Sequence, residues 1–295
     1  MAMVRSPICI DFRYVTILLF LLLNRNKGIS LDNRQITVDS NSTNPVINTF
    51  FERIPSEKRF TGMKDNDEDE LLEFWKLAWT SAGWEPRILS RNDARDHPEY
   101  KDFLQNLTAL NLDSFGEIIF MRHFVMGAVG GGFLADFDSF PLRDFRSDGL
   151  SLPFHGDFTI YDVFAVNLAS GSSDAWLDIA KALVEDARKY VRGNQTLFWT
   201  DTLGLLNLFR LNQIKIHSQR EVLHGFKALN GIPLTMDQCG ARPLRGKRTL
   251  HLSPSCMILG DMEPDLRLPY HRVTLARQWL SMFTKVCLNR TAELH

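Results

Sequence analysis

Long apolar stretches, basic blocks and metal-type cysteine spacings are what this chain lacks. No apolar run reaches the roughly 20 residues a membrane helix needs. The strongest run, Tyr14-Val15-Thr16-Ile17-Leu18-Leu19-Phe20-Leu21-Leu22-Leu23, spans ten. Positive charge is not in excess: 34 Lys and Arg stand against 35 Asp and Glu, a net charge of −1. Without a basic block, composition offers no electrostatic case for nucleic acid. None of the four cysteines sits in a Cys-x-x-Cys pair or at zinc-site spacing, which argues against a structural zinc module. The missing G-x-S-x-G elbow counts against a serine hydrolase. What is present is ordinary apolar content over 295 residues, enough to bury the core of one large α/β domain.

The most distinctive stretch is Gly130-Gly131-Gly132-Phe133-Leu134-Ala135-Asp136-Phe137-Asp138-Ser139-Phe140-Pro141-Leu142. A short buried strand over Phe133–Phe137 would deliver carboxylates where it emerges, the edge at which α/β sheets bind ligands. Extended backbone would put Asp136 and Asp138 on one side, since side chains alternate along a strand. Paired carboxylates there can hold a hard divalent cation and leave positions open for phosphate oxygens and water. Glycines before them allow a tight backbone approach to a bulky ligand. The competing reading is a turn in which the aspartates cap backbone amides. Asp65-Asn66-Asp67 and Asp67-Glu68-Asp69 repeat the pattern in a charged stretch, better read as the solvated start of a helix.

With Arg122 eight residues ahead of the glycine run, this stretch resembles the Arg-x-x-x-Leu-(x)n-Gly-Gly-x-Tyr-x-Asp-x-Asp core of glycosyltransferases with the DxD sugar-binding region. That group includes fungal initiating mannosyltransferases and bacterial capsular enzymes. Upstream, Trp75-Lys76-Leu77-Ala78-Trp79-Thr80-Ser81-Ala82-Gly83-Trp84-Glu85-Pro86 is similar to the group's Trp-rich helix leading into its second strand. Met126 and Phe133 stand where leucine and tyrosine are common, and Ile119 where an acidic residue is frequent. The resemblance implies a GT-A-like, Rossmann-related α/β/α sandwich with a mixed, mostly parallel sheet. It further implies Mn2+ or Mg2+ held by Asp136, Asp138 and His251, and a nucleotide-sugar donor contacted by Arg122, Gly131, Gly132 and Asp136. Asp201 would orient the sugar or accept the acceptor proton, and the acceptor would be a glycan, glycoprotein or glycolipid. The residues alone leave alternatives open: Arg122 forms either a site contact or a structural salt bridge, Asp201 sits in the helix-cap sequence Thr200-Asp201-Thr202, and His251 fits a satisfied half-buried imidazole.

The N-terminal run, flanked by Arg5, Arg13, Arg25 and Lys27, suits a signal peptide or an uncleaved signal anchor over residues 1–23. Residues 24–44, polar and without apolar period, read as a stem, leaving 45–295 as the catalytic domain. The expected place is the Golgi or ER lumen, as a single-pass type II membrane protein or a secreted one. Asn41-Ser42-Thr43, Asn106-Leu107-Thr108, Asn194-Gln195-Thr196 and Asn289-Arg290-Thr291 fit the N-glycosylation pattern. One bridge among Cys239, Cys256 and Cys287 suits an oxidising lumen.

Along the chain, strands are expected at Val46–Phe51, Trp84–Leu89 and Phe158–Val166, with a short one at Arg248–Ser253. Leu71, Trp75, Ala78, Trp79 and Ala82 share a helical face. Glu117–Val129 is apolar nearly all round and reads as a buried helix. Ser170-Gly171-Ser172-Ser173 is expected to turn the chain into a helix carrying Trp176, Ile179, Leu183, Ala187 and Tyr190. Arg272–Leu288 closes the fold as an amphipathic helix. Two other classes remain: a transferase-like domain that binds sugar nucleotide without turnover, and a haloacid-dehalogenase-type phosphatase, which expects a small or β-branched residue where Phe140 stands.

Overall fold

The computed structural model describes residues 44–59, 61–162, 165–192, 199–225, 239, 244–254, 257 and 268–288. The expected N-terminal signal segment, nearly all of the stem, three of the four sequons (at Asn41, Asn194 and Asn289) and Cys256 lie outside the described residues. Contacts divide the chain into two units, Met1–Ser40 and Asn41–His295; the description concerns the second. No helix among the described residues is long and apolar enough to cross a membrane.

Val46–Phe50 forms β1 and Glu85–Leu89 forms β2, paired in parallel. β2 is an edge strand, where Pro86 is tolerated. Gly131–Ala135 is β3, parallel to β1 on its other side. Leu168–Ser172 is β6, antiparallel to both β3 and the short β5, Thr159–Ile160. β7, His217–Ser218, completes the sheet in parallel with β5. The result is a mixed, mostly parallel six-stranded sheet in the order β2-β1-β3-β6-β5-β7. A second sheet joins β4 (Ser139–Pro141), β9 (Thr249–His251) and β8 (Val222–His224).

Helices cover both faces. The first, α1 (Asp65–Ser81), starts at the charged Asp65–Asp69 stretch as expected and buries Trp75 and Trp79 completely. Trp79 meets Trp84 edge-on, and Trp84 meets Phe133 of β3 in the same way. α2 (Tyr100–Thr108) and α3 (Ser114–Ala128) follow, then the short α4 (Arg146–Leu150). The 20-residue α5 (Ser173–Arg192) packs with α3 against β3, on the face to which Leu134 points by strand alternation. α6 (Asp201–Arg210) lies on α5, and α7 (Arg272–Phe283) on α1.

Two expectations needed correction. The strand at Phe158–Val166 is confined to Thr159–Ile160 among the described residues. The serine and glycine segment is not a turn but most of the buried strand β6. Small side chains carry little strand propensity, yet they are what a strand flanked by β3 and α5 can accommodate. An added Cβ at Gly131 would lie 2.6 Å from backbone atoms of Gly171, Ser172 and Ser173. The glycine there is required by the close approach of β6 as well as by its φ of +80°.

Candidate functional site

Asp136 follows β3 directly, and the chain then turns: the Ser139 N–H donates to the Asp136 carbonyl at 2.8 Å. The two aspartates are thus presented by a turn, and the extended geometry expected for them does not form. Three contacts pin that turn. The Trp79 indole donates to the Ser139 carbonyl at 3.0 Å, the Leu252 N–H to the Asp138 carbonyl at 2.9 Å, and the Asp136 N–H to the Asn167 carbonyl at 3.1 Å.

The structure brings Arg122, Asp136, Asp138, Asp201 and His251 into one region. Arg122, on α3, donates from Nη1 to Asp136 Oδ1 at 2.7 Å, and from Nη2 and Nε to Asp201 Oδ2 at 2.5 and 3.1 Å. Its neighbour His123 is fully buried and has Nε2 3.1 Å from the same Asp201 oxygen. Asp201 opens α6 behind Thr200, whose hydroxyl accepts the Leu203 N–H at 3.3 Å. The helix-cap sequence and the Arg122 contact therefore coexist. Asp138 accepts from Arg272 Nη1 at 2.7 Å, with His251 Nε2 3.3 Å away. Gly131 and Gly132 lie in β3 behind the turn, their backbones against β6 and Trp176.

Burial raises the Asp201 carboxyl, but Arg122 and His123 overcome this and hold it at about 2. Burial lowers His123 below its usual range in spite of Asp201. Asp138 is pushed up by burial and pulled further down by His251 and Arg272. Asp136 rises to about 6, through burial first and the charge of Asp138 second, against the pull of Arg122. Its carboxylate keeps an edge to solvent, with 29% of the side chain exposed.

A stability profile follows. Both Asp201 and His123 have folded values below their unfolded ones, so their contributions are present at neutral pH and lost on acidification. The His123 contribution is expected to fade below about pH 6.5. That of Asp201, about 2 kcal/mol for its fall from 3.8 to about 2, is lost between about pH 4 and 2. Urea unfolding from pH 7 to pH 3 checks this: His123→Gln should flatten the upper part of the curve alone. Asp136, raised to about 6, gains stability on acidification within the same range, so the difference between the two proteins decides, and coincident curves contradict it.

The carboxylate oxygens of Asp136 and Asp138 and a ring nitrogen of His251 lie within 4.8 Å of one another. Mixed oxygen and imidazole donors suit Mn2+ and accept Mg2+. Metal binding takes His251 as the neutral imidazole, and in that form the three carboxylates of Asp136, Asp138 and Asp201 outnumber the two guanidiniums of Arg122 and Arg272 by one charge. A cation therefore fits.

Arg272, His123, Asn167, Asp162 and His224 were not singled out by sequence reasoning, although each touches this region. Asp162 interrupts an apolar run, which is a readable signal. Arg272 opens α7, an end where a cation opposes the helix dipole. That misfit was its only trace.

No curated protein matches this chain by sequence. Among solved structures, it is similar to a glycosyltransferase involved in the glycosylation of the major capsid of PBCV-1, with 10% identity and a TM-score of 0.37, over 70% of this chain and 93% of that one. It is also similar to the glycosyltransferase GlyE in Streptococcus pneumoniae TIGR4, with 13% identity and a TM-score of 0.42, over 82% of this chain but only 63% of that one. A third similarity is to the galactosyltransferase LgtC in complex with donor and acceptor sugar analogs, with 10% identity and a TM-score of 0.42, over 81% and 95% of the two chains. The family described as Domain of unknown function (DUF8765) matches residues 26–199, more than half of the 295 residues, and the chain belongs to that family.

Proposed function

We propose that this chain is a glycosyltransferase that moves a sugar from a nucleotide-diphosphate sugar to an acceptor hydroxyl on a glycan, glycoprotein or glycolipid, supported by Mn2+ or Mg2+. The observation that carries the reading is the convergence of Asp136, Asp138 and His251 at the tip of β3, with Arg122 and Arg272 beside them. The cation would be held by these three side chains and would neutralise charge on the leaving nucleoside diphosphate. Arg122 is the second source of positive potential for that charge, and Asp201 orients it from behind. With its carboxyl near 2 and Oδ2 already accepting from Arg122 and His123, Asp201 is a poor proton acceptor at neutral pH. In this reading it positions Arg122. Gly131 and Gly132 shape the backbone under the donor. The Cys239–Cys287 disulfide and the sequon at Asn106 support a lumenal setting, Golgi or ER, with residues 1–23 as signal or anchor.

The test is a screen of UDP- and GDP-sugars for Mn2+-stimulated donor hydrolysis. Asp138→Asn is expected to lower turnover at least about 100-fold, some 2.7 kcal/mol of transition-state stabilisation. Equal turnover in both proteins removes the proposed role of that carboxylate. The ion pair of Asp138 with Arg272, itself only 2% exposed, favours a second reading in which sugar nucleotide binds without turnover. Donor binding by calorimetry with no metal-stimulated release of nucleoside diphosphate selects that one.

A further inference from the structure

His251 has a second set of neighbours on its far side. β8 and β9 run in parallel with His224 and His251 in register, so both imidazoles leave the same end of the small sheet, ring centroids 6.1 Å apart. Asp162, just beyond β5, places Oδ1 2.9 Å from His224 Nε2. Ligand atoms of Asp162, His224 and His251 all lie within 4.8 Å of one another. Tetrahedral donors about 2.0–2.1 Å from a zinc ion sit roughly 3.3 Å apart. The 4.8 Å limit exceeds that spacing by about 1.5 Å.

Asn167 is the independent pointer to a ligand. The residue is 1% exposed, and its Nδ2 sits 2.6 Å from Asp162 Oδ2 and 2.9 Å from His251 Nδ1. Its Oδ1 is buried with no hydrogen-bond partner among the described residues, a state that costs about 1–3 kcal/mol. The electropositive amide nitrogen thus holds the place between a carboxylate and an imidazole nitrogen where a cation would make the same two contacts. A half-turn of the amide brings the orphaned oxygen there instead, which is repulsive in the absence of a cation and favourable in its presence.

We infer that Asp162, His224 and His251 form a nitrogen-rich metal site for Zn2+ or a similar borderline ion, with Asn167 either as fourth ligand through Oδ1 or, through Nδ2, as the donor that orients Asp162. Two imidazoles and one carboxylate favour such an ion over Mg2+, which takes oxygen. The site stands whether or not the chain transfers sugar, and it competes with the carboxylate cluster for His251, whose neutral ring has one lone pair to give.

The test is X-ray absorption on the chelator-stripped full chain given one equivalent of Zn2+. Two imidazoles in the first shell are expected. One imidazole with carboxylates, as Asp136, Asp138 and His251 would give, overturns the inference, and so does none. His224→Ala should lower the imidazole count to one or abolish binding, while Asp136→Asn should leave it at two. The reverse pattern also overturns the assignment. The wild-type spectrum decides the matter even where a variant fails to fold.

Discussion

Arg122→Met is expected to destabilise the fold by about 3–5 kcal/mol, with the loss read by urea unfolding at pH 7. Arg122 is the only guanidinium shown hydrogen-bonded to Asp201 among the described residues, and Asp201 is 3% exposed. Removing the cation leaves a buried carboxylate facing only a neutral His123 on that oxygen. It also removes the largest of the charges that favour an ionised Asp136 beside Asp138. Breaking a buried pair from one side costs more than the pair itself contributes. The double variant Arg122→Met with Asp201→Asn should therefore recover part of the stability. A loss below about 1 kcal/mol in the single variant, or no recovery in the double, contradicts the charge network as described.

Trp79→Ala should cost a similar amount, about 3–5 kcal/mol, because the indole is fully buried between Trp75, Trp84 and Phe145. Its second role is polar: Nε1 donates to the Ser139 carbonyl and so holds the turn that carries Asp136 and Asp138. Trp79→Phe separates the two roles. It keeps most of the packing and drops the hydrogen bond, for about 1–2 kcal/mol. If the turn depends on that bond, Trp79→Phe weakens Mn2+ binding as well as stability, read by the signal of free Mn2+ in solution. Unchanged Mn2+ affinity means that the Leu252 and Asn167 contacts hold the turn without it.

Local pattern made several elements legible. The apolar period of Leu71, Trp75 and Trp79 marked α1, and the unbroken apolar stretch of Glu117–Val129 marked α3, because burial on one face or all round leaves a record in residue type. The strands at Val46–Phe50, Glu85–Leu89 and Thr249–His251 were also visible in the linear order. β6 was not. Its Ala169, Ser170 and Gly171 carry no apolar signature, and they are strand residues through their pairing with β3 and β5.

Residue order alone carried three things: two carboxylates that follow a short apolar strand, a buried arginine on the preceding helix that needs an acidic partner, and a fold of α/β type. Who those partners are emerges from the three-dimensional contacts. Arg122 lies 79 positions from Asp201, and Arg272 lies 134 from Asp138. His224 and His251 become neighbours only through the parallel pairing of β8 with β9. Helical and strand periods are set by neighbours a few positions away and survive in the linear order. A charge network is set by where strands end in space, and the order of residues does not encode that locally.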